Sequence, residues 1–280
     1  MRRIKEFETY LKVDRELSQN SRSAYLRDIN EFREFAKTKT EEEITRARIR
    51  EFLSFLDEKH NEPITRRRKL TSLRMFFKFL EDEKYIEESP VKGLPSPRVE
   101  LKEPSYLTEE ETKRLIQAVD NQGNARDKII IRILVETGIR LGELANLNTG
   151  DINIECKTIK VHRKGNKQQT IPINAKLCSL LGSFIKNKEP NEPLIMSSFK
   201  KRMTNRRLGL LVKDYLKRAG IAKNVSCHSI RHAFCTRLLE KGADLKTIQT
   251  LAGHASIEAT SRYLHIALPK LRKEVALAQI

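Results

Sequence analysis

Apolar residues recur at helical spacing through the first ninety positions. Tyr25, Ile29, Phe32 and Phe35 fall on one helix face, as do Ile49, Phe52, Leu53 and Leu56, and then Leu70, Leu73, Phe76, Phe77 and Leu80. With an opening helix over residues 4–17, this pattern predicts a four-helix domain spanning residues 1–90. The segment "SPVKGLPSPRVELKEP", with four prolines and a glycine, cannot continue a helix, and residues 91–104 read as an extended linker.

Beyond the linker the pattern restarts over residues 105–280. Thr108 and Glu111 have the spacing of a capping box, in which each side chain satisfies the other's backbone N–H. The run "KIIIRILVET" predicts a buried helix stopped by Gly138. Period-two alternation then takes over: Ile159 and Val161, a turn through Lys164, Gly165, Asn166 and Lys167, and a return with Ile171 and Ile173 describe a β-hairpin with a basic tip. From Ala175 onward the pattern is helical again, broken at Gly220, Gly242 and Gly253. The fold class is therefore mainly α with one small antiparallel sheet, in two domains, the second of α+β type.

Charge narrows the partner. The 55 Lys and Arg against 37 Asp and Glu leave a net +18, spread along the chain, and a basic folded surface attracts polyanions, nucleic acid first among them. The predicted fourth helix carries Arg66, Arg67, Arg68, Lys69 and Arg74 near its start. Such a run is a solvated face or a phosphate-contacting one, and the overall charge favours contact with DNA. No apolar run of about 18 residues and no signal-peptide core follows Met1, which predicts a cytoplasmic chain with no membrane partner. Cys156, Cys178, Cys227 and Cys235 lack paired spacing and read as free thiols.

The candidate chemistry lies in "HSIRHAFCTRLLEKGADLKTIQTLAGHASIEATSRYLHI", where His228 and Arg231 share a helix face. Taken singly, a histidine or arginine on a helix is most often a surface or satisfied core residue. A zinc reading of Cys227, His232 and Cys235 lacks the four convergent ligands of a closed site.

Taken together, these residues resemble the catalytic domain of the tyrosine recombinases, most closely the Xer-type enzymes that resolve chromosome dimers. The resemblance covers residues 105–263, and more loosely the whole chain, because those enzymes also begin with a four-helix DNA-binding domain. In "TGIRLGEL", Arg140 matches the family's first catalytic arginine and Glu143 its acidic neighbour. Lys164 of "RKGNK" matches the catalytic lysine, although Lys167 shares the turn and only the family pattern chooses between them. His228 and Arg231 in "HSIRH" match the His-x-x-Arg element, His254 in "LAGH" the next histidine, and Tyr263 the nucleophile. His232 and His265 are given supporting roles.

The resemblance implies cleavage and rejoining of duplex DNA through a 3′-phosphotyrosyl bond. Arg140 and Arg231 would grip non-bridging phosphate oxygens, with His254 as a further donor. Tyr263 needs help, since a phenol titrates near 10, and His228 is assigned as its base. Lys164 would protonate the leaving 5′ oxygen. No cofactor is required: the arginines supply the positive charge a metal would bring, and the phosphotyrosyl link conserves the energy that ATP would provide.

By the same resemblance, the partners are double-stranded DNA with inverted-repeat arms and further protomers, four on two sites, with a DNA translocase left as an open partner. Residues 269–280, with Leu271, Val275, Leu277 and Ile280, make a short apolar stripe expected to form a tail helix docked on a neighbouring protomer. A mobile-element integrase, a type IB topoisomerase and a DNA-binding protein without catalysis stand as the alternatives.

Overall fold

The computed structural model describes residues 3–37, 40–99, 105–163, 167–223 and 225–253. It divides into two compact units, Met1–Lys102 and Glu103–Ile280. Lys164, His254, Tyr263 and the expected tail helix over residues 269–280 lie outside the described residues.

The first unit is four helices: α1 (Ile4–Val13), α2 (Gln19–Ala36), α3 (Arg46–Glu58) and α4 (Pro63–Asp82). Its start signals are local. The Ser18 hydroxyl accepts from the Ser21 N–H ahead of α2, the Thr45 hydroxyl accepts from the Arg48 N–H ahead of α3, and Pro63 opens α4 where no N–H is needed. The helices close on an aromatic core in which Phe7 meets Phe76 edge-on at 5.0 Å and Phe32 meets Phe52 at 5.1 Å. Helix α1 stops at Val13, four residues short of the expected end. Glu16 turns left-handed at φ 47°, and the Leu17 N–H bonds back to the Leu11 carbonyl, closing the helix end. The start of the proline-rich segment also belongs to this unit, since Val91 and Leu94 are buried in its core.

The second unit runs α5 (Glu109–Gln122), α6 (Ala125–Thr137), α7 (Leu141–Asn146), a 3₁₀ turn (Thr149–Asp151), β1 (Ile152–Asn153), β2 (Thr158–Arg163), β3 (Lys167–Pro172), α8 (Ala175–Ile185), α9 (Asn205–Arg218), α10 (Cys227–Glu240) and α11 (Leu245–Ala252). Both bonds of the Thr108–Glu111 capping box form, at 3.2 and 2.7 Å. Helix α6 is buried on almost every side; of its two buried charges, Arg132 is met by Asp120 at 2.5 Å and Glu136 at 3.1 Å, and Asp127 accepts from Arg126 at 3.0 Å and the Tyr215 hydroxyl at 3.1 Å. Gly138 then ends α6 in the left-handed region, φ 62°. Its lack of a side chain is required, because a Cβ there would run into the Phe234 ring.

The sheet is antiparallel in the order β1-β2-β3. Ile159 faces Ile171, and Arg163 faces Lys167, so Lys167 is already strand and not turn. Ile159, Val161 and Ile171 turn inward onto the core built by α6, α8, α9 and α10. Helix α11 joins α10 through a separate small cluster of Phe234, Cys235, Leu239, Ile248 and Ala252. Among the described residues no helix is long and apolar enough to cross a membrane.

Candidate active site

Arg140 sits at the N-cap of α7, placed there by the break that Gly138 makes at the end of α6. Its backbone N–H donates to Glu143 Oε2 at 2.8 Å and its Nη1 to Glu143 Oε1 at 2.7 Å, so the first turn of α7 fixes both backbone and side chain. Glu143 is buried, while the Arg140 side chain remains 44 % exposed and faces a cleft of about 800 Å³. His162, Arg163, Lys167, Gln169 and Gly253 also line that cleft.

Arg231 projects from α10, one turn after the Ser226 cap, and is only 3 % exposed. Its Nη1 donates to the Gly138 carbonyl at 2.7 Å and its Nη2 to the Ala252 carbonyl. Burial, with the nearby Arg140 charge adding to it, pulls this guanidinium down to about 10. It is a cation held in low dielectric on backbone carbonyls, with no carboxylate within ion-pair distance among the described residues.

The two arginines meet at the C-terminal turn of α11. Arg140 Nη2 donates to the Gly253 carbonyl at 3.0 Å, one residue beyond the Arg231 acceptor. The hairpin reaches the same turn: Arg163 Nη2 donates to the Leu251 carbonyl at 2.8 Å and Gln169 Nε2 to the Thr250 carbonyl at 2.6 Å. Four consecutive carbonyls at this helix end are thus bonded by four side chains from α7, the sheet and α10, the Thr250 carbonyl accepting from the Gly253 N–H as well.

Of the sequence-predicted residues, Arg140, Glu143 and Arg231 are brought together here. His228 stands exposed at the start of α10, its ring edge-on to His232 at 6.3 Å, and it does not line the cleft. His232 is buried and stacks on Tyr106 at 6.0 Å. Arg163, Gln169 and Gly253 carry no sequence pattern that marks them as site residues; the basic hairpin tip points toward the first without distinguishing it from its neighbours.

The cations on α4 are largely spoken for. Arg66 pairs with Asp57 at 2.8 Å, Arg68 with the buried Asp28, and Arg74 donates to Ser96 Oγ at 2.8 Å and to the Leu94 carbonyl. Lys69 is 6 % exposed and bonded to Glu31 at 2.5 Å. Its place next to Leu70 and one turn before Leu73 puts it at the edge of the core, which removes it from an outward-facing basic row. Arg67 is exposed.

Both units have relatives among known proteins. The sequence profile described as the phage integrase family matches residues 105–268, and the one described as the phage integrase N-terminal SAM-like domain matches residues 4–84. A tyrosine recombinase XerC of Natranaerobius thermophilus is 33% identical over 277 residues, covering 93% of this chain and 93% of that protein. A tyrosine recombinase of Thermosipho africanus is 33% identical over 270 residues, covering 94% and 95%. Among solved structures, that of XerA recombinase aligns over 99% of this chain and 98% of its own at 28% identity, TM-score 0.55. The fold is also that of XerH site-specific recombinase bound to a palindromic difH substrate, with TM-score 0.76 at 23% identity over 98% of this chain and 84% of the other.

Proposed function

The chain belongs to the phage integrase family, whose members cut and rejoin DNA as tyrosine recombinases, and from that premise we propose that it is a site-specific recombinase of the Xer kind, working through a 3′-phosphotyrosyl intermediate. The observation that carries the proposal is the convergence of Arg140 and Arg231 from separate helices on the turn that ends at Gly253, the residue before His254 and ten before Tyr263.

Arg140 and Arg231 hold the scissile phosphate, and Glu143 sets the Arg140 guanidinium in place. The Tyr263 oxygen bonds to phosphorus as the bond to the 5′ oxygen breaks. The phenolic proton passes to His228, and a proton from the Lys164 ammonium goes to the departing 5′ oxygen. His254 adds a donor to the phosphate. The reverse attack by a 5′ hydroxyl rejoins the strand, so no metal ion or nucleotide is consumed.

The remaining roles follow from the family. Two sites and four protomers make the synapse, and the segment over residues 269–280 couples neighbours around the ring. DNA enters through contacts shared by both domains, with Arg67 and Arg68 the exposed cations of the α4 run and Arg68 held by Asp28. Resolution of chromosome dimers in the cytoplasm is the biological task this fits, ahead of integration of a mobile element.

A substrate nicked near the cleavage point traps the covalent adduct and provides the test. Unaltered protein should yield adduct and Tyr263→Phe none, with DNA affinity retained; adduct from the Phe chain overturns the nucleophile. Lys164→Ala should cleave poorly yet recover when the scissile 5′ oxygen is replaced by sulfur, which leaves without protonation. Rescue of Lys167→Ala in its place would transfer the acid role to Lys167. Recombinant product from two sites separates this reading from a topoisomerase.

A further inference from the structure

Arg163 is the last residue of β2 and immediately precedes Lys164. Its side chain is only 9 % exposed although it belongs to a strand that leads to a basic turn. Nη2 donates to the Leu251 carbonyl at 2.8 Å, and Nε lies 3.9 Å from Glu143 Oε1, the same oxygen that receives Arg140. Nε and Nη1 are buried and have no hydrogen-bond partner among the described residues.

The Nη1 end of the guanidinium also presses against Gly253. A Cβ at that position would overlap Nη1, and Gly253 itself is left-handed at φ 60°. Only glycine leaves room for this contact. The second strand of the hairpin makes the matching tie, Gln169 to the Thr250 carbonyl at 2.6 Å. Burial pushes the Arg163 guanidinium down, Glu143 opposes that effect, and the Arg140 charge adds to it. A charge kept in that setting by one carbonyl and a distant carboxylate contributes little net stability, since desolvation offsets much of the attraction. Its geometric consequence is larger: it fixes the distance between the point where the chain leaves β2 toward Lys164 and the point where it leaves α11 toward His254.

We infer that Arg163 is a positioning residue for strand cleavage, a strut between the β2–β3 hairpin and the C-terminal turn of α11 that holds the lysine of the turn at working distance from the phosphate. The inference rests on the reading of Lys164 as the acid for the leaving oxygen. Arg163 touches neither the phosphate nor the leaving group; it acts through Lys164.

The test compares Arg163→Ala, Arg163→Lys and Lys164→Ala on nicked substrates carrying oxygen or sulfur at the scissile 5′ position. A displacement of about 1 Å in a catalytic group costs roughly 100-fold, so Arg163→Ala should lose about that factor on oxygen. On sulfur, where no proton is needed, the loss should shrink to less than roughly 10-fold. Arg163→Lys keeps the charge but not the planar fork, and should show the same selective rescue in a chain that retains the buried cation. Equal losses on oxygen and sulfur in both Arg163 variants, or wild-type cleavage by Arg163→Ala, overturn the inference.

Hydrogen exchange over residues 248–253 reads the tether without reference to the chemistry. It should quicken in both Arg163 variants and stay unchanged in Lys164→Ala. Unchanged exchange in both overturns the strut. A Lys164→Ala chain that sulfur does not rescue, alongside quickened exchange in the Arg163 variants, overturns the acid assignment and leaves the strut standing.

Discussion

Replacing Gly138 with alanine should damage the second unit in two separable ways. The backbone there is left-handed at φ 62°, which costs an L residue about 1 to 2 kcal/mol. The added methyl would also run into the Phe234 ring, whose Cγ stands 2.8 Å from the Cβ position. Overpacking of this kind costs about 1 to 3 kcal/mol, giving about 2 to 5 kcal/mol together.

Gly220 supplies the control within the same unit. It is left-handed at φ 67°, but its nearest neighbour, Arg114 Nη1, is at an ordinary 3.8 Å, so Gly220→Ala should cost only the conformational part. Calorimetry on the full chain, with the two units fitted as separate transitions, should find the melting temperature of the second unit lowered by roughly 4 to 20 °C for Gly138→Ala, and by less for Gly220→Ala, at roughly 2 to 4 °C per kcal/mol. Because the Gly138 carbonyl accepts from Arg231 Nη1, only the Gly138 variant should also slow strand cleavage at temperatures where both chains are folded. Two variants melting within about 1 °C of each other would refute the collision with Phe234.

On α4, Arg67→Ala should weaken DNA binding and make the slope of log affinity against log salt shallower by about 0.9, the value of one released counterion. Lys69→Ala should instead cost about 1 to 2 kcal/mol of stability, because its partner Glu31 is only partly buried, and leave the slope alone; equal slopes for the two variants would place Lys69 on DNA. At the start of α11, the Asp244 carboxylate accepts from the Thr247 N–H at 2.7 Å, which holds it below the usual carboxylate range. With its folded value depressed, the cap is fully present above the unfolded value near 3.9 and is lost as pH falls through the folded one. The protection of the Thr247 amide, its exchange taken relative to the intrinsic rate at each pH, should therefore fall on acidification in the unaltered chain and show no such change in Asp244→Asn, which caps in either condition.

What could be read from the sequence was what is local in the chain. The helices of the first unit announce themselves because Phe32, Phe52 and Phe76 repeat with their neighbours at the helical period, and the Thr108–Glu111 cap is complete within four residues. Strand β1 escaped because two residues, Ile152 and Asn153, are too few to show a period; only pairing with Ile159 and Thr158 makes them a strand. The surplus cations of α4 were legible as charge but not as contacts, since Lys69 meets Glu31 and Arg68 meets Asp28 across 38 and 40 positions of chain. Arg163 escaped for the same reason. Its neighbour Lys164 fits a pattern, whereas its own acceptor, the Leu251 carbonyl, lies 88 residues away.

The carbonyls at the end of α11 bear on how affinity is divided across the protein. In the proposed function, Arg140 and Arg231 each meet the phosphate already bonded to a neutral carbonyl, and a donor that turns to the phosphate exchanges one acceptor for another. Both bonds have an ionised donor, so the gain is the added attraction of an anionic acceptor over a neutral one, and not the whole of either. Tight capture must then come from the wider cationic surface, and the reacting centre is left free to discriminate by geometry: an acceptor that is not tetrahedral, anionic and correctly placed has no advantage over the peptide groups it would displace.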